Sequence, residues 1–305
     1  MKAIKHVNVE KGMKINDLIK EFSNSNVMQA GKLAKAVDIL EKMIKDKDCK
    51  VFFGQAGALV PGGMKNLILD LIRNKWVDIF VTTGATLTHD LIEALGYEHY
   101  QGDENADDEE LNKKGLYRMY NSYMDNRAYQ KIEDFIKENF DELSKAKKIN
   151  DFLKILGSKV KHKDSILRAC YENNIPIFCP ALSDSGLGLM VWGQLTQGKE
   201  VSVGAFDDLK DILDIAWTSK KSGVFYLGGG VPKNYIQQAM QFSKEAAYGV
   251  QVTMDKAEFG GSSGASLKEG ISWGKMQSHA DFVDVKVDST IALPLIIASL
   301  KERLL

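Results

Sequence analysis

The chain has 305 residues, 44% hydrophobic and 27% charged, and its 40 basic and 41 acidic side chains leave a formal net charge of −1. That balance is typical of a soluble globular protein and supplies neither the basic surface that nucleic acid needs nor a field that would draw it to a membrane. No apolar run reaches the roughly 20 residues of a spanning helix, the opening MKAIKHVNVEKGMKINDL lacks the apolar core of a secretory leader, and a cytoplasmic protein is therefore expected.

The first fifty residues read as helices, AGKLAKAVDILEKMIKD most clearly, and residues 1–48 are expected to be an extension packed on the main body or on a neighbouring subunit. Beyond them, β-rich apolar runs occur at 50–59, 77–85, 175–182, 222–230, 248–254 and 282–288. Several are too continuously apolar to have one wet face, as in a parallel sheet covered by helices. Amphipathic stretches such as MKNLILDLIRN, DDLKDILDIAWTSK and NYIQQAMQFSKEAA lie between them. Right-handed crossovers would then build an α/β fold, a doubly wound, mostly parallel Rossmann-like sheet with helices on both faces. No linker divides the chain, so residues 1–305 are expected to form a single domain. Composition shifts markedly only over 96–115, where seven of the eight residues from Asp103 to Glu110 are Asp, Glu or Asn. This reads as an exposed acidic loop, or else as a docking surface for a cationic partner. Cys49, Cys170 and Cys179 show no CxxC spacing and read as reduced core thiols, with no disulfide framework or metal site expected.

Four strand-like segments end in small or polar residues: GQAGALVPGG, TTGAT, LGGGVPK and VDST. In an open α/β sheet the carboxyl ends of the strands are where a dinucleotide sits, because glycine lets phosphate approach backbone N–H groups at a helix N-terminus. None matches GxGxxG, and each is equally readable as a tight strand-to-helix turn. In LGGGVPK, Gly228, Gly229 and Gly230 are candidate phosphate contacts, with Pro232 placed as the first residue of the next helix. Asp184, in PALSDSGLG, could hold a ribose hydroxyl or cap a helix.

EGISWGKM, residues 269–276, places an acid, an indole and an amine together. A lysine amine is protonated at neutral pH unless an apolar wall removes its water, and Trp273 could be that wall for Lys275. Glu269 is close enough in sequence to anchor an amine or move a proton. By itself the segment also fits a surface lysine beside a core tryptophan. Lys233, which follows the triple glycine, competes for the role of essential lysine and reads as a cofactor-side or structural cation.

AEFGGSSGASLKEGISWGK, together with LGGGVPK and VDIFVTTGATLTHDL, resembles deoxyhypusine synthase, and the likeness runs in order from INDLIKEFSNSN to DSTIALPLIIASL. The resemblance implies an NAD-dependent transfer in which the butylamine part of spermidine passes, through an imine on the lysine matching Lys275, to a lysine of the hypusine-bearing translation factor. It implies Glu269, Trp273 and His89 as further catalytic residues and a homotetramer with active sites at dimer interfaces. NAD contacts are implied at Gly57, Ala58, Leu59, Val60 and Pro61, at Thr83, Gly84 and Ala85, at Asp184 and Gly229, and at Asp255, Lys256, Asp288 and Ser289. The polyamine would meet Asn234, Gly261, Ser262 and Ser263 besides Glu269 and Trp273.

Several positions depart from the familiar eukaryotic pattern: Leu189 and Asn234 stand where that form has Asp and His, GGSSG (260–264) lacks two acids, and His89 replaces Glu, as in microbial relatives. Each missing carboxylate removes a charge-assisted hydrogen bond worth roughly 1.5 to 3 kcal/mol to an ammonium group. The cofactor half is thus expected to be kept and the polyamine half rebuilt. Homospermidine synthase-like transfer to a small amine and a non-catalytic NAD-binding scaffold are the competing expectations.

Overall fold

A computed structural model describes residues 2–305. In chain order the elements are α1 (Ile15–Ser25), α2 (Met28–Lys45), β1 (Cys49–Gln55), α3 (Lys65–Arg73), β2 (Ile79–Thr82), α4 (Gly84–Ala94), β3 (His99–Gln101), α5 (Asp108–Lys113), β4 (Leu116–Met119), β5 (Ser122–Asp125), α6 (Arg127–Leu143) and α7 (Ile149–Lys159). They continue with α8 (Ile166–Asn173), β6 (Ile177–Phe178), α9 (Gly186–Leu195), α10 (Ala205–Thr218), β7 (Lys221–Leu227), α11 (Gly230–Gln241), β8 (Ala246–Val252), α12 (Glu269–Ser272), β9 (Met276–Val285) and α13 (Ser289–Leu304). The fold is α/β, with helices on both faces of a six-stranded parallel sheet of order β6-β2-β1-β7-β8-β9.

The chain divides into two compact units, the first formed by 1–56, 76–81 and 209–305 and the second by 57–75 and 82–208. In the first unit β1, β7, β8 and β9 pair in parallel, and Gln55, Leu227, Val252 and Val285 share one register row at their carboxyl ends. β1 is buried at every position except Lys50, as expected for a strand covered on both faces. Phe53 stacks on Phe80 at 5.1 Å and on Phe225 at 5.2 Å, so one aromatic ladder crosses three strands. Leu33, Val37, Leu40 and Met43 recur on one stripe of α2, which packs on β8 and β9, while α11 packs on β1 and β7. The helices expected in the first fifty residues are α1 and α2, and residues 2–14 form none.

The second unit gathers α4 with α6, α8 and α9, and carries a three-stranded antiparallel sheet of order β3-β5-β4 that periodicity did not foretell. The acidic stretch there is no open loop throughout. Asp107 caps α5 by accepting from the Glu109 and Glu110 amides, and Arg118 grips Asp108 through two bonds of 2.6 Å. Charges that look free in sequence are therefore used locally. The strand expected over 175–182 shortens to Ile177–Phe178, and that expected from 282 begins at Met276, with a register irregularity between Ala246 and Tyr248 on its partner.

Candidate active site

Within the first unit, the common carboxyl-end row of β1, β7, β8 and β9 decides where the glycine and aspartate segments emerge. The chain leaving Leu227 enters Gly228 to Gly230, that leaving Val252 enters Asp255 and Lys256, and that leaving Val285 reaches Asp288 and Ser289. Gly228 and Gly230 hold φ of 72° and 57°, a region side chains avoid. Helix α11 begins at Gly230, so Pro232 lies in its first turn rather than at its first position, and still forfeits no intrahelical bond.

Gly229 is needed for a second reason. A Cβ there would stand 2.3 Å from Ser263 Cα, and one on Gly264 would stand 2.1 Å from the Lys256 carbonyl oxygen. The glycine-serine segment therefore lies directly on the triple glycine. Lys233 fastens it: the side chain is 1% exposed, and Nζ donates to the carbonyls of Ser262 and Ala265, both at 2.6 Å. Gln251 adds bonds to the Ser263 and Ala265 carbonyls, Lys286 donates to the Asp255 carbonyl at 2.6 Å, and Asp284 accepts from the Leu267 amide at 3.1 Å. Burial pushes the Lys233 ammonium down to about 8, opposed by nearby Asp284. Among the substrate candidates of this segment, Gly261 is exposed, Ser262 and Ser263 are partly buried, and Asn234 is half-buried on α11.

Helix α12 follows, with Glu269 exposed in its only turn. Gly274, at φ 67°, then reverses the chain so that the Lys275 amide bonds to the Gly270 carbonyl at 2.8 Å. The Lys275 Nζ stands 4.8 Å from the Trp273 ring centroid, and the amine has no ion pair among the described residues. Sequence expected Trp273 to dry this amine. Instead the indole is 57% exposed and presents its face to the amine. Within one chain, therefore, the lysine and indole are brought together but the amine is not desolvated.

In the second unit, Gly57 holds φ 88° with open space where a Cβ would be, and leads through exposed Ala58 into buried Leu59 and Val60 and then Pro61. Thr83 caps α4 by accepting from the Thr86 amide at 3.3 Å, leaving Gly84 and Ala85 as its first residues. Gly84 packs so closely that a Cβ would meet Ser185 at 2.5 Å. Asp184 is exposed just before Ser185, which is the residue that caps α9. Asp288, in the first unit, does use its carboxylate as a cap, accepting from the Thr290 amide at 2.6 Å. In the second unit the open space beside Gly57, the helix start at Gly84 and the exposed Asp184, and in the first unit the helix start at Gly230, are each of a kind that suits a phosphate or a ribose.

His89 projects from α4 and is half-buried. Its Nδ1 lies 2.9 Å from His99 Nε2, and His99 Nδ1 lies 2.7 Å from Glu93 Oε1. Sequence reasoning named His89 but missed His99 and Glu93. Glu93 is one helical turn from His89, a visible signal, whereas His99 joins only because β3 folds back alongside.

A family model described as deoxyhypusine synthase matches residues 17–300. "Probable deoxyhypusine synthase 1" of Methanosarcina mazei is 40% identical over 99% of this chain and 95% of its own length. "Probable deoxyhypusine synthase" of Methanothermobacter thermautotrophicus is 35% identical over 99% of this chain and 98% of its own. Among solved structures, a "putative deoxyhypusine synthase" from Entamoeba histolytica aligns with TM-score 0.64 and 20% identity, covering 97% of this chain and 96% of that one, a likeness of fold.

Proposed function

Because the chain belongs to the deoxyhypusine synthase family, we propose that it is an NAD-dependent aminobutyl transferase that moves the butylamine part of spermidine, or of a related amine, to a lysine of a translation factor. The observation that carries the reading is Lys275, an amine without an ion pair among the described residues, lying against Trp273 in the segment on which the family likeness is most specific. NAD, when bound, would supply the capacity to accept and return a hydride. Gly57, Thr83 to Ala85, Asp184, Gly229 and Asp255 are the residues that would hold it.

This chain's own part is nucleophilic. Lys275 Nζ attacks the carbon of the substrate imine, its bond to that carbon forms as the bond to the departing diamine breaks, and the lysine's protons leave with the diamine. An acceptor lysine displaces Lys275 in the same way. For attack the amine must be neutral, and exposed Trp273 does not enforce that alone; closure by a neighbouring subunit of the homotetramer implied by the family supplies the missing dry wall in this reading. Glu269 stands ready to pair with a substrate ammonium.

One specific feature favours a second acceptor. The segment Gly260–Gly264 carries no carboxylate, and Asn234 and Leu189 are uncharged, so a polyamine finds fewer acids than in the eukaryotic pattern. Transfer to a small amine is therefore tested beside transfer to protein.

Borohydride reduction of enzyme mixed with NAD and spermidine, followed by mass spectrometry, should place an aminobutyl adduct on the Lys275 peptide. Lys275→Arg should abolish the adduct and turnover while changing NAD affinity by less than about twofold. An adduct on another lysine, or transfer by the Arg variant, would sink the assignment; label transferred to putrescine but not to the translation factor would identify the small-amine reading.

A further inference from the structure

The pairing of His89, His99 and Glu93 fixes where the protons are. Glu93 also meets Lys65, and although burial alone would raise its carboxyl, the bonds from His99 and Lys65 outweigh that and hold it ionised. A carboxylate can only accept, so His99 Nδ1 carries a hydrogen and, in the neutral ring, His99 Nε2 carries a lone pair. His89 Nδ1 must then be the donor across the 2.9 Å contact. The remaining nitrogen, His89 Nε2, is left as a proton acceptor with no partner among the described residues. Burial, and then the nearness of His99, push His89 down to about 4, so its ring is neutral at pH 7 and a proton gained there is poorly tolerated. The His99 side chain, by contrast, is 6% exposed and directly bonded to a carboxylate.

We propose that His99 and Glu93 form a proton store behind His89, in which His89 Nε2 receives the proton released when an amine is oxidised to an imine and His99 holds the resulting charge. The inference rests on the transferase reading. Amine oxidation releases one proton for each hydride removed, and reduction of the product imine takes one back, so a store on the protein balances the two steps without exchange with solvent. As the His89 Nε2–H bond forms, the Nδ1–H bond of His89 breaks and its proton forms the Nε2–H bond of His99. No electrons are exchanged, and the net charge moves from the buried ring that tolerates it least to the imidazolium beside Glu93. The carboxylate stabilises that cation without itself being protonated, as the acid of a Ser-His-Asp triad does. The return step is the reverse.

Two measurements test the store. Nitrogen-15 NMR of histidine-labelled wild-type protein, assigned with His89→Gln and His99→Gln, should show Nδ1–H on both rings; a proton on His89 Nε2 at pH 7 would overturn the proposal. In rapid mixing with NAD and spermidine, His99→Gln should slow NADH formation by at least about tenfold, because Gln can still accept from His89 Nδ1 but cannot hold a proton. NAD affinity should change by less than about twofold, which separates loss of the store from a general disturbance of the site. NADH formation at the wild-type rate in His99→Gln would overturn the store alone. If wild-type protein forms no NADH with any amine, the transferase reading fails and the store fails with it.

Discussion

Lys233 and Lys275 carry the same amine into opposite surroundings. Lys275 lies half-exposed over an indole with no ion pair among the described residues, whereas Lys233 is buried with two carbonyl acceptors at 2.6 Å. Sequence reads Lys275 as the nucleophile and Lys233 as a cofactor-side or structural cation, and the two carbonyl bonds of Lys233 suit a structural role. Its charge should be visible in stability. With the ammonium pushed down to about 8 by burial, native and unfolded chains both hold the proton below that pH, and the cost of burying the charge is in full force there. Between about 8 and the ordinary lysine value of 10.5 the unfolded chain binds more protons, so this group makes the native state relatively more stable as pH rises. The whole window is worth at most about 3 kcal/mol. The groups that face it are Asp284, Lys286, Glu269 and Lys275. In urea unfolding between pH about 7 and about 10, wild type should therefore gain stability relative to Lys233→Met. Parallel pH curves for the two proteins would show that the buried amine does not titrate in this window.

At the scale of the element, the start of α11 and the glycine-serine segment behave as one object, because Gly229 lets Ser263 approach and Lys233 ties the segment down. Gly229→Ala would put a Cβ 2.3 Å from main-chain Ser263 Cα, too close for any rotamer change to relieve. The segment must shift, at a cost of about 1 to 3 kcal/mol by the usual penalty of overpacking. We expect chemical denaturation of Gly229→Ala to show a loss in that range together with weaker NAD binding; full stability and affinity would mean that the segment moves freely. The glycines themselves were legible in LGGGVPK, but their reason was not. Sequence reads them as room for phosphate or as a tight turn, while the space beside Gly229 is taken by Ser263 of the same chain. Asp90 shows the same limit: it sits in a segment read for its strand-end glycine, yet its buried carboxylate caps α8 by accepting from Ser165 Oγ at 2.7 Å and from the amides of Ile166 and Leu167. Partners more than seventy residues apart leave no periodic trace. The antiparallel strands β3 to β5 escaped for a related reason: short, half-exposed segments carry little apolar alternation for a pattern to detect.

Across the whole molecule, the strands that the sequence announces are the ones the helices cover on both faces, since continuous burial demands continuous apolar residues. β1, β2, β7 and β8 were readable on that ground. The division of the chain was not, because it follows no linker: the path passes from one unit to the other at 57, 76, 82 and 209. Neither unit is a continuous stretch of sequence, so neither can close before distant segments have met. We therefore propose that the chain unfolds as a single cooperative domain, and three thiols allow this to be tested. Cys49 lies in the first unit and Cys170 and Cys179 in the second, at 7%, 1% and 0% exposure. Burial pushes Cys49 and Cys179 up to about 12 and raises Cys170 well above the ordinary thiol value, so none should react with a thiol reagent while its surroundings stay folded. Brief labelling across a urea series, resolved by mass spectrometry of the three peptides, should give one midpoint common to all. Exposure of Cys170 and Cys179 at a lower urea concentration than Cys49, or the reverse, would show that the units unfold independently and that the single-domain reading is wrong.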